Sequence, residues 1–344
     1  MSSIIFSDLH NEAVRVEEKT DVLTQIREQC KKLKVKRVFF LGDMFDTRGR
    51  IPTVVQNAMA KEFRKWKKEK IDLYAMPGNH DYADKEGLVH SLELFKEFDN
   101  IKILDESSLI EINGTSYGFI PYQEDLGKEL IDSDWYDEDI DYLFIHNGIE
   151  GATYNENTLD TESRVKSSIF KFVRKHVFAG HYHHRQTIGN VTFVGSCIQQ
   201  KIDERGQDKG FILLDENTGI WEHVNLDTPR FVDYTVNTDE IKKLKKGDFK
   251  DHREKDYVRI FAEGTFNSYK RLDIEALRDT CKTIKVDWKP IRGTRATRIE
   301  IKSTDSRVKT LEKYVNYMTK DKTKRAKLIK LGRKLYNERN SKCS

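Results

Sequence analysis

The chain has 344 residues, 37% hydrophobic and 34% charged, which suits one or two folded domains with a strongly polar surface. No apolar run approaches the roughly 20 residues of a membrane span, and Met1–Asp8 has no charged segment followed by a long apolar one, so no signal peptide is expected. The net charge of +4 is uneven, with 13 Lys or Arg against 4 acids from Asp305 onward and a net acidic remainder.

Ser3–Phe6 reads as a strand, and Val22, Ile26, Cys30 and Leu33 follow at helical spacing. Arg37–Leu41 is a second strand, Val55, Met59, Phe63 and Trp66 mark a second helix, and Ile71–Ala75 is a third strand. Such a β-α-β-α-β series predicts a largely parallel sheet with helices packed outside. Past residue 100 the strands shorten. Leu109–Ile112 and Tyr117–Ile120 flank Asn113-Gly114 as a hairpin, and Asp141–Ile145, His176–Ala179, Val191–Val194 and Phe211–Leu214 are strand-like. Two face-to-face sheets flanked by helices accommodate this pattern. A boundary is placed near Thr228-Pro229, followed by strand, helix and strand at Tyr257–Ala262, Asp273–Cys281 and Thr283–Trp288. After Lys302, Leu311, Tyr314, Val315 and Met318 make one short amphipathic helix, and Leu328, Leu331 and Leu335 a second.

Five motifs carry chemistry, most of them just after a predicted strand, where an α/β sheet displays its functional loops. They are Asp8-Leu9-His10, Gly42-Asp43-Met44-Phe45-Asp46, Gly78-Asn79-His80-Asp81, His146-Asn147-Gly148 and Gly180-His181-Tyr182-His183. Singly, Asp-x-His is a common chance pairing and Gly-Asp-x-x-Asp an ordinary turn or helix cap. Five in this order, rich in Asp, Asn and His, point to a metal centre. A phosphodiester resists attack because its charge repels nucleophiles; two divalent cations neutralise that charge and make hydroxide from water near neutral pH. Mixed His, Asp and Asn ligation favours Mn²⁺, Fe²⁺ or Zn²⁺ over Ca²⁺.

On these motifs the sequence resembles the calcineurin-like metallophosphoesterases. The resemblance implies an α/β fold, a four-layer α/β/β/α sandwich with metals at one end of its two sheets. It places one metal on Asp8, His10 and His183 and the other on Asn79, His146 and His181, with Asp43 bridging. Two divalent ions are implied, Mn²⁺ foremost, with Mg²⁺, Fe²⁺ or Zn²⁺ as alternatives. His80 would contact the scissile phosphate and protonate the leaving oxygen. Asp46 matches the carboxylate that orients this histidine, with Asp81 as the alternative orienter.

Within the superfamily the chain looks most like the Mre11/SbcD nucleases, particularly their T4-like phage members. Gly42–Asp46 resembles the GDxFD form, Phe193-Val194-Gly195-Ser196 the late glycine motif that closes the second sheet, and Lys209-Gly210-Phe211 the (R/K)GF strand. The resemblance implies a nuclease domain at 1–227, a small α+β DNA-capping domain at 228–302, and a basic two-helix tail at 303–344 that docks on a Rad50/SbcC-like ATPase. A homodimer through the helix of Val55–Trp66 or its neighbours is implied as well. The sequence departs from the family at Asn11, at Asn147-Gly148 and at Thr47-Arg48-Gly49, none of which removes a ligand.

Among the remaining residues, Arg48 and Arg50 either bind a substrate phosphate or are solvated loop residues. His184 neighbours the site without ligating, and Cys197 reads as a small buried residue. Trp66, Trp221 and Trp288 read as core. The cysteines Cys30, Cys197, Cys281 and Cys343 form no CxxC pair, which fits a reducing cytoplasm without disulfides. The tail's basic residues either meet DNA phosphates or form the solvated face of helices whose leucines pack on a partner. The expected function is a DNA exo- or endonuclease of end processing, recombination or repair. The alternatives are a small-substrate phosphodiesterase or phosphatase, and a non-catalytic DNA and ATPase scaffold.

Overall fold

The computed structural model describes residues 1–84, 89–132, 135, 138–155, 158–241, 253–275, 283–290 and 305–340. Its elements begin with β1 (Ser2–Phe6), α1 (Val16–Leu33), β2 (Arg37–Phe40), α2 (Thr53–Lys68), β3 (Asp72–Ala75) and β4 (Ile101–Ile103). Then come β5 (Ser108–Ile112), β6 (Thr115–Ile120), α3 (Leu126–Asp132), β7 (Tyr142–Ile145), β8 (Thr153–Asn155), β9 (Thr158–Leu159) and β10 (His176–Ala179). β11 (Gln186–Ile188), β12 (Val191–Phe193), β13 (Gly210–Asp215), β14 (Trp221–Asn225) and β15 (Phe231–Asn237) follow. The chain closes with α4 (Thr238–Ile241), β16 (Tyr257–Gly264), α5 (Phe266–Tyr269), β17 (Thr283–Pro290), α6 (Arg307–Met318) and α7 (Lys322–Asn340).

Two six-stranded sheets, β14-β13-β1-β2-β3-β4 and β11-β12-β10-β7-β6-β5, form the main body. In the first, β1 to β4 pair in parallel and β13 and β14 add on by antiparallel pairing; in the second, the four central strands pair in parallel and β11 and β5 pair antiparallel at the edges. Parallel strands are covered on both faces, so their sequences are continuously apolar. The two-residue period then sorts the side chains. Ile4, Phe6, Val38, Phe40, Leu73 and Ala75 pack under α1 and α2. Ile5, Phe39 and Leu41 meet Phe119, Phe144 and Phe178 of the second sheet. A further cluster, including Leu143, Ile145, Val177 and Ala179, lies on the second sheet's outer face with Leu126 and Leu130 of α3. Three interlayer cores are what an α/β/β/α sandwich requires, so the expected α/β class is the observed one.

Val55, Met59, Phe63 and Trp66 are each 0% exposed beneath the first sheet. That face is committed to its own core, and Val54 is exposed on the outer side of α2.

β15, β16 and β17 form a separate, parallel three-stranded sheet around Val258, Ile260, Ala262 and Leu272. β15 was not anticipated, because its residues are only half buried and its pattern gives no clear inward face. The expected helix Asp273–Cys281 falls largely outside the described residues, as does Cys343. This sheet meets the main body where Tyr257 Oη donates to Glu18 at 2.7 Å and Phe231 N donates to Gln199 Oε1 at 2.7 Å. The Arg15 guanidinium lies 5.2 Å from the Tyr257 ring centre. Trp66 is core as expected; Trp288 is not, being 38% exposed against Phe266 and Tyr269. α6 and α7 pack on each other, with Leu311 against Gly332, and leave Leu328, Leu331 and Leu335 exposed. Among the described residues no helix is long and apolar enough to cross a membrane.

Candidate metal centre

The C-terminal ends of β1, β2, β3, β7 and β10 face one edge of the sandwich, and the five motifs follow them there. The loops after β1 and β2 are zipped by backbone hydrogen bonds: Asp8 N to Gly42 O (3.0 Å), His10 N to Asp43 O (2.9 Å) and Asn11 N to Met44 O (2.8 Å). Asp8, His10, Asp43 and His181 have positive φ of 53°, 47°, 60° and 93°. For residues bearing a Cβ this costs roughly 1–3 kcal/mol each, and it is sustained only where the surroundings over-determine the backbone. The other non-glycine residues of this kind, Lys34, Lys70 and Asn113, follow helices or sit in a hairpin turn. Among the described residues, such strain tied to no ordinary turn is thus confined to the candidate ligands.

Asp81 supplies part of the over-determination. Its fully buried carboxylate accepts hydrogen bonds from Asp43 N (2.9 Å), Met44 N (3.0 Å), Phe45 N (3.1 Å) and Gly78 N (2.9 Å). Glycine at 78 is required by the closeness of this packing, since a Cβ there would come within 2.5 Å of Asp43 N and 2.7 Å of the His146 ring. A Cβ on Gly42 would meet the Gly78 backbone at 2.8 Å.

The donors converge in two groups. His10 Nε2 lies 3.0 Å from His183 Nε2, 3.4 Å from Asp43 Oδ2 and 3.9 Å from Asp8 Oδ1. On the other side His146 Nε2 lies 3.4 Å from Asp43 Oδ2 and 3.3 Å from Asn79 Oδ1, which is 3.0 Å from His181 Nδ1. Asp43 Oδ2 therefore stands between the two groups. His146 Nδ1 donates to Leu41 O at 2.5 Å, and His183 Nδ1 donates to Glu204 Oε1 at 2.8 Å. Each such bond leaves an Nε2 lone pair facing inward, the arrangement that outer hydrogen bonds impose on metal-binding imidazoles.

Burial lowers His10 well below the usual histidine value and takes His181 to about 4, so both are neutral donors near pH 7. Burial also opposes charge on His146, but the Asp43 carboxylate overcomes it and pushes this imidazole up to about 9. Burial alone would raise Asp43, which His146 and His10 instead hold well below the carboxylate range. A cation held here would take the place of the His146 proton as the counter-charge of Asp43. The donor set fits as well: the Asp8, His10 and His183 atoms, and the Asp8, Asp43 and His146 atoms, each lie within 4.8 Å of one another. Two divalent ions with a preference for mixed nitrogen and oxygen ligands suit these groups.

Beside them, His80 N donates to Asp43 Oδ1 at 2.8 Å, and His80 Nδ1 donates to the backbone carbonyl of Asp46 at 2.9 Å. Asp46 thus holds His80 through its backbone rather than its side chain. The Asp46 side chain lies 3.6 Å from His10 Nδ1 instead, and Asp81 is occupied by backbone amides beneath the loop. Arg48 lines a cavity with Asn79 and Tyr122, whereas Arg50 is exposed and lines none of the cavities described. His184 turns away to Thr153 Oγ1 at 3.4 Å. Cys197 is buried, and burial pushes its thiol up to about 12, which leaves it inert as a nucleophile.

Three supporting residues escaped the sequence reading. Glu204 holds His183, and no local motif marks it. Lys19 is 0% exposed, with Nζ donating to Leu9 O at 2.9 Å, to His10 O at 2.8 Å and to Gln200 Oε1. Gln200 Nε2 donates to Asp8 O at 3.0 Å. Lys19 carried a signal, being a charge on the same helical stripe as Val22, Ile26 and Cys30.

Residues 1–185 match the family model of the calcineurin-like phosphoesterases. A protein of Invertebrate iridescent virus 6 assigned as a phosphoesterase, 244L, is 26% identical over 244 residues, which are 67% of this chain and 82% of that protein. Exonuclease subunit 1 of Enterobacteria phage T4 is 23% identical over 203 residues, 58% of this chain, and the match spans only 58% of the phage protein's own length. A solved archaeal phosphodiesterase overlaps 66% of this chain and 100% of its own at 15% identity, with a TM-score of 0.36. The family match spans more than half of the chain and takes in all seven donors of the centre; this chain belongs to the calcineurin-like phosphoesterases.

Proposed function

We propose that this chain is a two-metal DNA nuclease of the Mre11/SbcD kind, working beside a Rad50/SbcC-like ATPase. The observation that carries the phosphodiesterase part is Asp43 Oδ2 set 3.4 Å from an imidazole of each donor group, with His80 adjoining. Bound dications would neutralise the phosphodiester charge and supply a nucleophilic water near neutral pH. Asp8, His10 and His183 would hold one, Asn79, His146 and His181 the other, and Asp43 both. His80, fixed through Nδ1 on the Asp46 carbonyl, gives its Nε2 proton to the leaving 3′ or 5′ oxygen. Arg48, beside Asn79, binds a non-bridging phosphate oxygen.

DNA as substrate is supported by the similarity to a phage exonuclease subunit and by the additional sheet and basic tail beyond residue 228. The exposed Leu328, Leu331 and Leu335 support a protein partner for the tail, since a short helix gains stability by burying such a stripe. The test is hydrolysis of labelled linear DNA with Mn²⁺, with and without EDTA. Asp43→Asn should lose metal binding and hydrolysis together. His80→Gln should bind metal normally yet turn over about 10²–10⁴-fold more slowly. Intact DNA beside hydrolysis of a small aryl phosphodiester would favour the small-substrate reading.

A further inference from the structure

The candidate metal centre opens into a cavity of about 450 Å³ whose lining includes His10, His80, His181, His183, Tyr154 and Tyr182. Phosphodiester hydrolysis makes no demand for an aromatic ring. Tyr182 is explained by packing, since it is 2% exposed with its ring 4.9 Å from that of Phe193. Tyr154 is not. It projects from the β8–β9 hairpin, is 45% exposed, and faces a cavity whose other lining groups are mostly charged or polar.

The ring is nonetheless held in place. It stands perpendicular to the Tyr182 ring, centroids 5.2 Å apart at 86°, and its hydroxyl donates to Asp160 Oδ1 at 3.3 Å. Asp160 is itself buried, accepting from Glu162 N at 2.8 Å and from the Tyr182 hydroxyl. The hairpin base is clamped as Thr153 N donates to Gln186 Oε1 at 2.8 Å and Gln186 Nε2 donates back to Thr153 O at 2.7 Å. A solvent-exposed ring held by a neighbouring ring and through its hydroxyl has lost much of its freedom before anything binds, the condition under which a stacking contact is most effective.

We propose that Tyr154 is a substrate-binding residue that stacks on the nucleobase next to the scissile phosphate, and that it thereby selects unpaired nucleotides, as in single strands or frayed ends. This rests on the nuclease reading. A base within a duplex has both faces covered by its neighbours, so only an unstacked base offers a face to the ring.

The experiment compares cleavage of a single-stranded oligonucleotide with that of the same strand carrying an abasic residue beside the cut, with Mn²⁺. Wild type should show a kcat/KM at least about five-fold higher on the intact strand. Tyr154→Leu should bring that ratio close to one, with the loss mainly in KM, and Tyr154→Phe should retain it. A variant Tyr154→Leu that keeps the wild-type ratio overturns the proposal. Failure of wild type to cut any DNA, while an aryl phosphodiester is hydrolysed, overturns the nuclease reading and this inference with it.

Discussion

Replacing Glu204 with Gln tests whether a residue that touches no substrate sets the metal centre. Its carboxylate is 7% exposed and accepts from His183 Nδ1 (2.8 Å), Lys209 Nζ (2.8 Å), Gln200 N (3.1 Å) and Ser196 Oγ (3.3 Å). Burial alone would raise its carboxyl, but the His183 hydrogen bond and the Lys209 ammonium hold it well below the usual range. Glu204→Gln keeps the shape and removes the charge, so Lys209, only 2% exposed, loses its counter-ion. Breaking a buried pair costs about 3–5 kcal/mol. Lys209 keeps the His183 carbonyl at 2.7 Å and Gln207 Oε1 at 2.9 Å, so the lower end, about 3 kcal/mol, is expected. In a body of this size that lowers the melting temperature by about 6–12 °C.

The second effect is on His183, whose ring is no longer held by an anionic acceptor. Loss of such an outer partner weakens metal binding about 10–100-fold. Calorimetric titration with Mn²⁺, alongside thermal melting of the metal-free protein, separates the two effects. Lower melting with undiminished metal affinity would show that Glu204 serves Lys209 alone and that its positioning of His183 is wrong.

Lys19→Met takes a buried donor from Leu9 O, His10 O and Gln200 Oε1, so melting should show about 1–3 kcal/mol of destabilisation, and loss of the clamp on the Leu9-His10 backbone should lower Mn²⁺ affinity about ten-fold by calorimetry. Gly78→Ala forces a Cβ against Asp43 N and the His146 ring, so circular-dichroism melting should show about 1–3 kcal/mol of destabilisation, with metal binding lost in the same variant. Burial would raise the Asp256 carboxyl, but its hydrogen bonds to Arg253 and Arg230 hold it well below its usual value. A depressed folded value gives stability that is present above the unfolded value near 4 and lost as pH falls through the folded one. Asp256→Asn should therefore unfold more readily than wild type in urea at pH 7, and the gap should close below about pH 4.

Much of the site was legible because the strand ends announce it. Asp8, Asp43, Asn79, His146, His181 and His183 each follow a short, largely apolar run that reads as a strand, and the loops carry glycines where the backbone must pass closely. Less was legible around His80. Asp46 and Asp81 are both near it in sequence, and only the path of the loop shows that one offers His80 a backbone carbonyl and the other turns beneath to four amides. Tyr154 likewise lies in a stretch with no motif, and its relation to His10 and His183 exists only across the cavity.

The sequence by itself determined the α/β layering and the Asp-, Asn- and His-rich motifs at the strand ends, because burial on both faces of parallel strands and tight loop turns each restrict residue type locally. Tertiary structure alone decided what supports them. Glu204, Lys19 and Gln200 act on loops many residues away, and a hydrogen bond to a backbone carbonyl or to an imidazole places no spacing constraint on where in the chain its donor or acceptor comes from.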